Sequence, residues 1–266
     1  MPYSNVAQTL TDTTLSHPVR IARRFNGPPS SGNGGWSAAL LGKPIGREVE
    51  VTLKRPIPLE REIRVLQDSQ TARLMDGDLE IASARTAELD LDIPDAITFA
   101  EAATARANFA GYTAHPFPNC FVCGTGRCCG EGMCLFTGPY MRGMVASSWV
   151  PDAEFLTPEG EVTPELVCAA LDCPGAWALI DRYGMEGPMV LGRLRYRLDK
   201  PIHAGERYVV QGWACGREGR KAFCGTAVHD AQGEICAAAA ATWIVLRRSE
   251  NPHETPLNPD TRRGHA

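Results

Sequence analysis

Two short stretches of this chain carry residue types that can do chemistry. In Leu171-Asp172-Cys173-Pro174 an acid interrupts an otherwise apolar run. A buried carboxylate without a partner is costly, so Asp172 is either a base or nucleophile, or a structural acid satisfied by backbone donors. Pro174 cannot donate to the carbonyl of Ala170 and clashes with it, which predicts a kink just beyond the acid. In Asn33-Gly34-Gly35 a glycine pair leads into a short apolar helix. Unpaired N–H groups at a helix start, unshielded by Cβ, can hold an oxyanion, although a glycine pair also serves as a tight entry.

The cysteines form a third group. Cys120 and Cys123 are separated by two residues, and Cys128, Cys129 and Cys134 follow closely. That spacing is compatible with zinc, and a turn-forming structural role is the alternative. Cys173 adjoins Asp172, whose charge should raise the thiol pKa and suppress a nucleophilic thiolate. Several chemistries are excluded at motif level. There is no Gly-x-Ser-x-Gly elbow, and Gly124-Thr125-Gly126 lacks the next glycine that a dinucleotide loop needs. His203 and His229 fall at turns and are expected at the surface.

Composition narrows the class further. The chain has 266 residues, 44% hydrophobic and 22% charged, with a net charge of -4. No basic face dominates, which argues against nucleic acid as a partner. Arg193, Arg195 and Arg197 alternate along one strand, as a solvated face does. No apolar run reaches the roughly 20 residues of a membrane span. Met1 to Thr14 has no secretory pattern, so the ten cysteines are expected as reduced thiols and the protein as cytoplasmic.

The elements that position these groups occur twice. Leu53-Lys54-Arg55-Pro56-Ile57 reappears as Leu198-Asp199-Lys200-Pro201-Ile202. A small-residue helical segment precedes each copy (Gly34 to Leu41; Glu165 to Tyr183), and Glu-Arg, a strand, a turn and an alanine-rich strand follow it. The spacing suits a duplicated domain. Val49, Val51 and Leu53 alternate with polar residues, as in a half-buried antiparallel strand, and Asp76-Gly77 signals a hairpin. Thr98 and Glu101 suit a capping box for a helix through Asn108. Further strands are expected at Gly132-Phe136, Gly143-Val150, Val190-Leu198, Glu206-Trp213, Lys221-His229 and Glu234-Leu246. The expected divisions are a tail (1–16), a first unit (17–91), a connecting segment with a helix (92–119), a second unit (120–247) and a second tail (248–266).

A helix apolar on nearly all sides is buried. An α+β unit of one central helix and an antiparallel meander resembles the hotdog fold, and two in tandem resemble a double hotdog. This likeness covers about residues 17–247. In hotdog thioesterases of the phenylacetate-pathway and hydroxybenzoyl-CoA types, a His-Gly-Gly lead enters the helix and a catalytic acid sits about two turns on. Here Asn33-Gly34-Gly35 matches the lead, with Asn in place of His, but two turns on stands Gly42. In the second copy the acid position is Asp172, while the lead is Thr163-Pro164-Glu165. Fused halves reproduce the hotdog dimer, whose central helices run antiparallel. The resemblance therefore implies one composite site (Gly34 and Gly35 as oxyanion donors, Asn33 as positioning group, Asp172 as base or nucleophile) and a dead mirror site.

The chain is also similar to the acyl-CoA thioesterase II group, which adds a Thr or Ser and a Gln on second-half strands to hold water. The nearest positions here are around Arg193 and Ala241-Thr242; Thr242 could serve, and no Gln falls there. Trp36 and Thr242 are the expected substrate-side residues, with room for an apolar acyl group beside the Ala237 to Ala241 run. Cys120-Phe121-Val122-Cys123-Gly124, with Gly132-Met133-Cys134-Leu135-Phe136, resembles the opening of single hotdog thioesterases, which need no metal there. The resemblance thus implies no cofactor or metal, an acyl-CoA or acyl-carrier thioester as substrate, and a homo-oligomer. A non-hydrolytic acyl-thioester binder, or a lyase or isomerase using Asp172, stays open.

Overall fold

Alternating sequence builds the strands of the first half, and the small apolar run between them builds its helix. In the computed structural model, which describes residues 15–246 except Cys129 and Glu186, the first half comprises β1 (Leu15–Arg20), α1 (Gly34–Gly42), β2 (Glu48–Leu53), β3 (Glu62–Gln67), β4 (Thr71–Asp76) and β5 (Leu79–Thr86). The expected tails, apart from Leu15 and Ser16, lie outside the described residues. Gly77 turns β4 into β5 with φ 60°, a left-handed conformation that glycine adopts without strain. The connection carries α2 (Phe99–Ala107), started by the Thr98/Glu101 capping box. The second half adds β6 (Gly138–Met141), β7 (Met144–Trp149), α3 (Pro164–Ala170), α4 (Cys173–Tyr183), β8 (Met189–Leu198), β9 (Tyr208–Glu218), β10 (Lys221–His229) and β11 (Ile235–Val245).

All eleven strands join one antiparallel sheet, in the order β1-β3-β4-β5-β2-β8-β11-β10-β9-β7-β6. The halves meet where β2 pairs with β8, Val51 opposite Leu194. The repeated motif follows β2 in one half and closes β8 in the other with the same bonding. The Lys54 and Arg55 amides both donate to the Ile81 carbonyl, and the Asp199 and Lys200 amides both donate to that of Cys236. Ile57 and Ile202 are buried, and their carbonyls accept from Gly32 and Val162 ahead of each central helix. Duplication is therefore visible in the bonding as well as in the letters.

Three expectations are corrected. Gly132 to Phe136 forms no strand; the Met133 and Leu135 amides bond instead to the carbonyls of Phe121 and Val122, and β6 begins two residues later. The second central helix is two helices, α3 and α4, broken at Leu171-Asp172. His229 ends β10 buried, not at the surface. The arginine strip keeps the expected exposed face and also carries ion pairs: Glu50, 5% exposed, accepts from Arg85 and Arg195 and lies 4.0 Å from Arg193, while Arg197 pairs with Asp199. Burial raises the Glu50 pKa, but the guanidiniums hold it below the usual carboxylate value. Among the described residues no helix is long and apolar enough to cross a membrane.

Candidate active site

Proline chemistry creates the position of Asp172. Pro174 has no N–H for Ala170 and its ring excludes that carbonyl, so the helix breaks and restarts with Pro174 in its first turn. The break falls at the acid itself, not just beyond it. The Leu171 carbonyl is satisfied from outside the helix by the Thr226 hydroxyl of β10, 2.8 Å away. Asp172 is left at the junction, 2% exposed.

The start of α1 meets it there. Asp172 Oδ2 accepts from the Asn33 side-chain amide at 2.8 Å and from the Gly35 backbone N–H at 2.9 Å. Asn33 caps α1 by accepting from the Trp36 amide through Oδ1, which fixes Nδ2 toward the carboxylate. A Cβ on Gly35 would lie 2.1 Å from the Cys168 carbonyl oxygen, so glycine is what lets α1 and α3 come this close. Asp172 Oδ1 is buried and has no hydrogen-bond partner among the described residues. Burial, with Cys120 nearby, pushes the Asp172 pKa up, the Gly35, Asn33 and Gly34 donors pull it back, and the result is about 7.

Asp172, Asn33 and Gly34 line a cavity of about 470 Å³, and Gly35 does not. The Gly34 backbone N–H, like that of Gly35, acts to lower the Asp172 pKa, and a Cβ on Gly34 would come 2.7 Å from Leu191 Cδ2 and 3.3 Å from Asp172 Oδ2. The remaining wall is largely apolar, with Leu53, Ile57, Trp177, Met189, Leu191 and Trp243, and exposed Lys54 and Arg55 border it.

Trp36 and Thr242 are not in this wall. The Trp36 ring stacks on Phe25 at 3.8 Å, since the first turn of α1 directs it away from Asp172. Alanines 237–241 do not line the cavity either; Trp243 and Ile244 of the same strand do. A buried glutamine does exist, Gln211 on β9, but it bonds to the Ile97 amide, the Asp95 carbonyl and the Tyr140 hydroxyl. It anchors the connecting segment and is not among the cavity residues.

The mirror position differs in kind. At Gly42 a Cβ would lie 2.3 Å from the Tyr196 hydroxyl, so a buried tyrosine ring occupies that space. Glu165 pairs with Lys43 at 3.5 Å and meets no glycine amide.

Sequence reasoning missed Thr226, for which no local pattern exists, and the gathering of Cys120, Cys123 and Cys173 beside Asp172. The Cys173 thiol pKa is raised, as expected, but first through Cys120 and Cys123, not through Asp172. His115, whose pKa burial lowers, places Nε2 2.9 Å from the Cys123 carbonyl oxygen and accepts from the Phe117 amide through Nδ1.

The sequence matches no family model and no curated protein. Solved structures do resemble it. The tesB protein of Mycobacterium avium subspecies paratuberculosis superposes with a TM-score of 0.59 at 10% identity, over 87% of this chain and 93% of its own. A Lactobacillus plantarum protein provisionally named an oleoyl thioesterase gives 0.53 at 9% identity, over 90% and 98%. The fold is the α+β double hotdog that these structures share.

Proposed function

We propose that the protein hydrolyses an acyl thioester, acyl-CoA or acyl-carrier, at one composite site per chain. The observation that carries this reading is the buried Asp172: one oxygen is held by Asn33 and Gly35, the other has no hydrogen-bond partner among the described residues, and the residue lines a largely apolar cavity. The fold shared with structures named as thioesterases supports the class. The acyl group occupies the wall formed by Trp177, Leu191 and Trp243. Asp172 Oδ1 takes a proton from water as hydroxide adds to the thioester carbonyl. The resulting oxyanion is received by the Gly34 N–H and the positive end of α1. Collapse expels the thiolate, which recovers the proton from Asp172, giving a free acid and a thiol. Direct attack by the carboxylate, followed by hydrolysis of the anhydride, uses the same atoms.

The test is Asp172→Asn assayed for free thiol on a panel of acyl-CoAs. Loss of turnover in a folded variant is expected, and unchanged turnover overturns the assignment. A second reading, a binder of acyl thioesters that does not hydrolyse them, is favoured by the engagement of Gln211 elsewhere. Stabilisation of the wild type by acyl-CoA in a thermal-shift assay with no thiol released would establish it. Assembly into a homo-oligomer would use the free sheet edges at β1 and β6, and the mass of the particle in solution tests this.

A further inference from the structure

Three thiols converge, two of them from the cysteine cluster that the sequence pattern singled out. Cys120 and Cys123 come from the turn that opens the second half, and Cys173 is the first residue of α4. Their Sγ atoms all lie within 4.8 Å of one another, with Cys120 and Cys173 3.7 Å apart. Sulfurs bound tetrahedrally to zinc at about 2.3 Å sit about 3.8 Å from each other, whereas a disulfide needs about 2.05 Å. All three residues are buried. The neighbouring cysteines go elsewhere: Cys128 is exposed, and Cys134 Sγ is directed at the Arg127 carbonyl.

Gly124 closes the turn so tightly that a Cβ there would lie 2.5 Å from the Cys120 carbonyl oxygen. His115 has both ring nitrogens engaged, so it braces the Cys123 carbonyl and is not a fourth ligand. All three cysteines face the same cavity as Asp172, which leaves a fourth position for water.

We propose that Cys120, Cys123 and Cys173 form a three-thiolate site for a thiophilic, tetrahedrally coordinating ion of the zinc class. Binding deprotonates three thiols and releases three protons. The ion ties the loop of the second half to the helix break that carries Asp172. This site stands apart from the hydrolytic reading, since metal content is measured without any substrate.

The test uses the full chain, purified anaerobically with any affinity tag removed. Elemental analysis is expected to find one metal equivalent per chain. Protein stripped of metal should take up one Co2+, with the near-ultraviolet charge-transfer band of thiolate ligation and the visible bands of a tetrahedral ion. Cys173→Ser and Cys120→Ser should each lower metal affinity about 10-fold or more, while Cys128→Ser keeps full loading. Three results would overturn the proposal: folded, stripped wild type that takes no Co2+; a Co2+ affinity unchanged in Cys173→Ser; or a disulfide among these cysteines in anaerobically purified protein. If the variants do not fold, the wild-type cobalt titration decides alone.

Discussion

The two places where the start of one central helix meets the other half have diverged in opposite ways. At one, glycines at the start of α1 let a carboxylate from the other half approach to hydrogen-bond distance, and the helix carrying that carboxylate is broken. At the other, the start of α3 carries Pro164 and Glu165, and the position opposite is a glycine filled by the Tyr196 ring. The contrast shows that the buried acid stands where donors reach it across the interface, and that the mirror position is filled by a tyrosine ring and hydroxyl.

The comparison breaks most directly at the acid. Asp172→Asn should lower thiol release by about 10²–10⁴-fold, the range for loss of a general base, while Glu165→Gln leaves the rate within about twofold. Equal losses in the two variants would mean that the halves are not unequal. The glycines sharpen it next. Gly35→Ala and Gly42→Ala both force a Cβ into occupied space, against backbone in the first case and a tyrosine hydroxyl in the second. Each should destabilise by about 1–3 kcal/mol. Only Gly35→Ala should also lower the rate per folded molecule, as shown by activity normalised to the folded fraction from thermal melts.

Much of this asymmetry was legible in the sequence. The period-two alternation of Val49, Val51 and Leu53 and the capping box at Thr98 are local signals, and local signals survive folding. The pairing of Asn33-Gly34-Gly35 with Asp172 came from the resemblance to the hotdog dimer, because spacing alone does not say which helix start faces which acid. Long-range facts escaped. Thr226 reaches Leu171 only because β10 lies over the helix break, and Cys173 joins Cys120 only because α4 restarts there. Trp36 looked like a substrate contact by proximity in sequence, but a helical residue one position from Gly35 projects about 100° away around the axis. The Gly132-Phe136 segment has strand-like composition, yet its bonding partner is a turn.

Smaller effects test how each pocket is held. Thr226→Val removes the hydroxyl that satisfies the Leu171 carbonyl at the break, so it should cost about 1 kcal/mol and lower the rate less than Asp172→Asn does. Tyr196→Phe is the counterpart in the closed pocket. The Tyr196 hydroxyl is buried without a partner among the described residues, so its removal should leave stability unchanged or raise it by up to about 1 kcal/mol, at an unchanged rate. A fall in stability with Tyr196→Phe would mean that the hydroxyl is engaged and that the mirror pocket keeps a polar role.

The smallest effect concerns the seam that both pockets share. Glu50 joins Arg85 of its own half to Arg195 of the other, and its pKa is held below the usual value. Between the folded and unfolded values the unfolded chain binds more protons, so the stabilisation is complete above the unfolded value of about 4.3 and is lost as pH falls through the folded one. Glu50→Gln should therefore lower stability near pH 7 by no more than about 1 kcal/mol, because the arginines are partly solvent-screened. Chemical denaturation at several pH values should show wild type and variant converging as the carboxylate is protonated. A gap that persists in acid would locate the contribution of Glu50 in packing across β2 and β8, not in its charge.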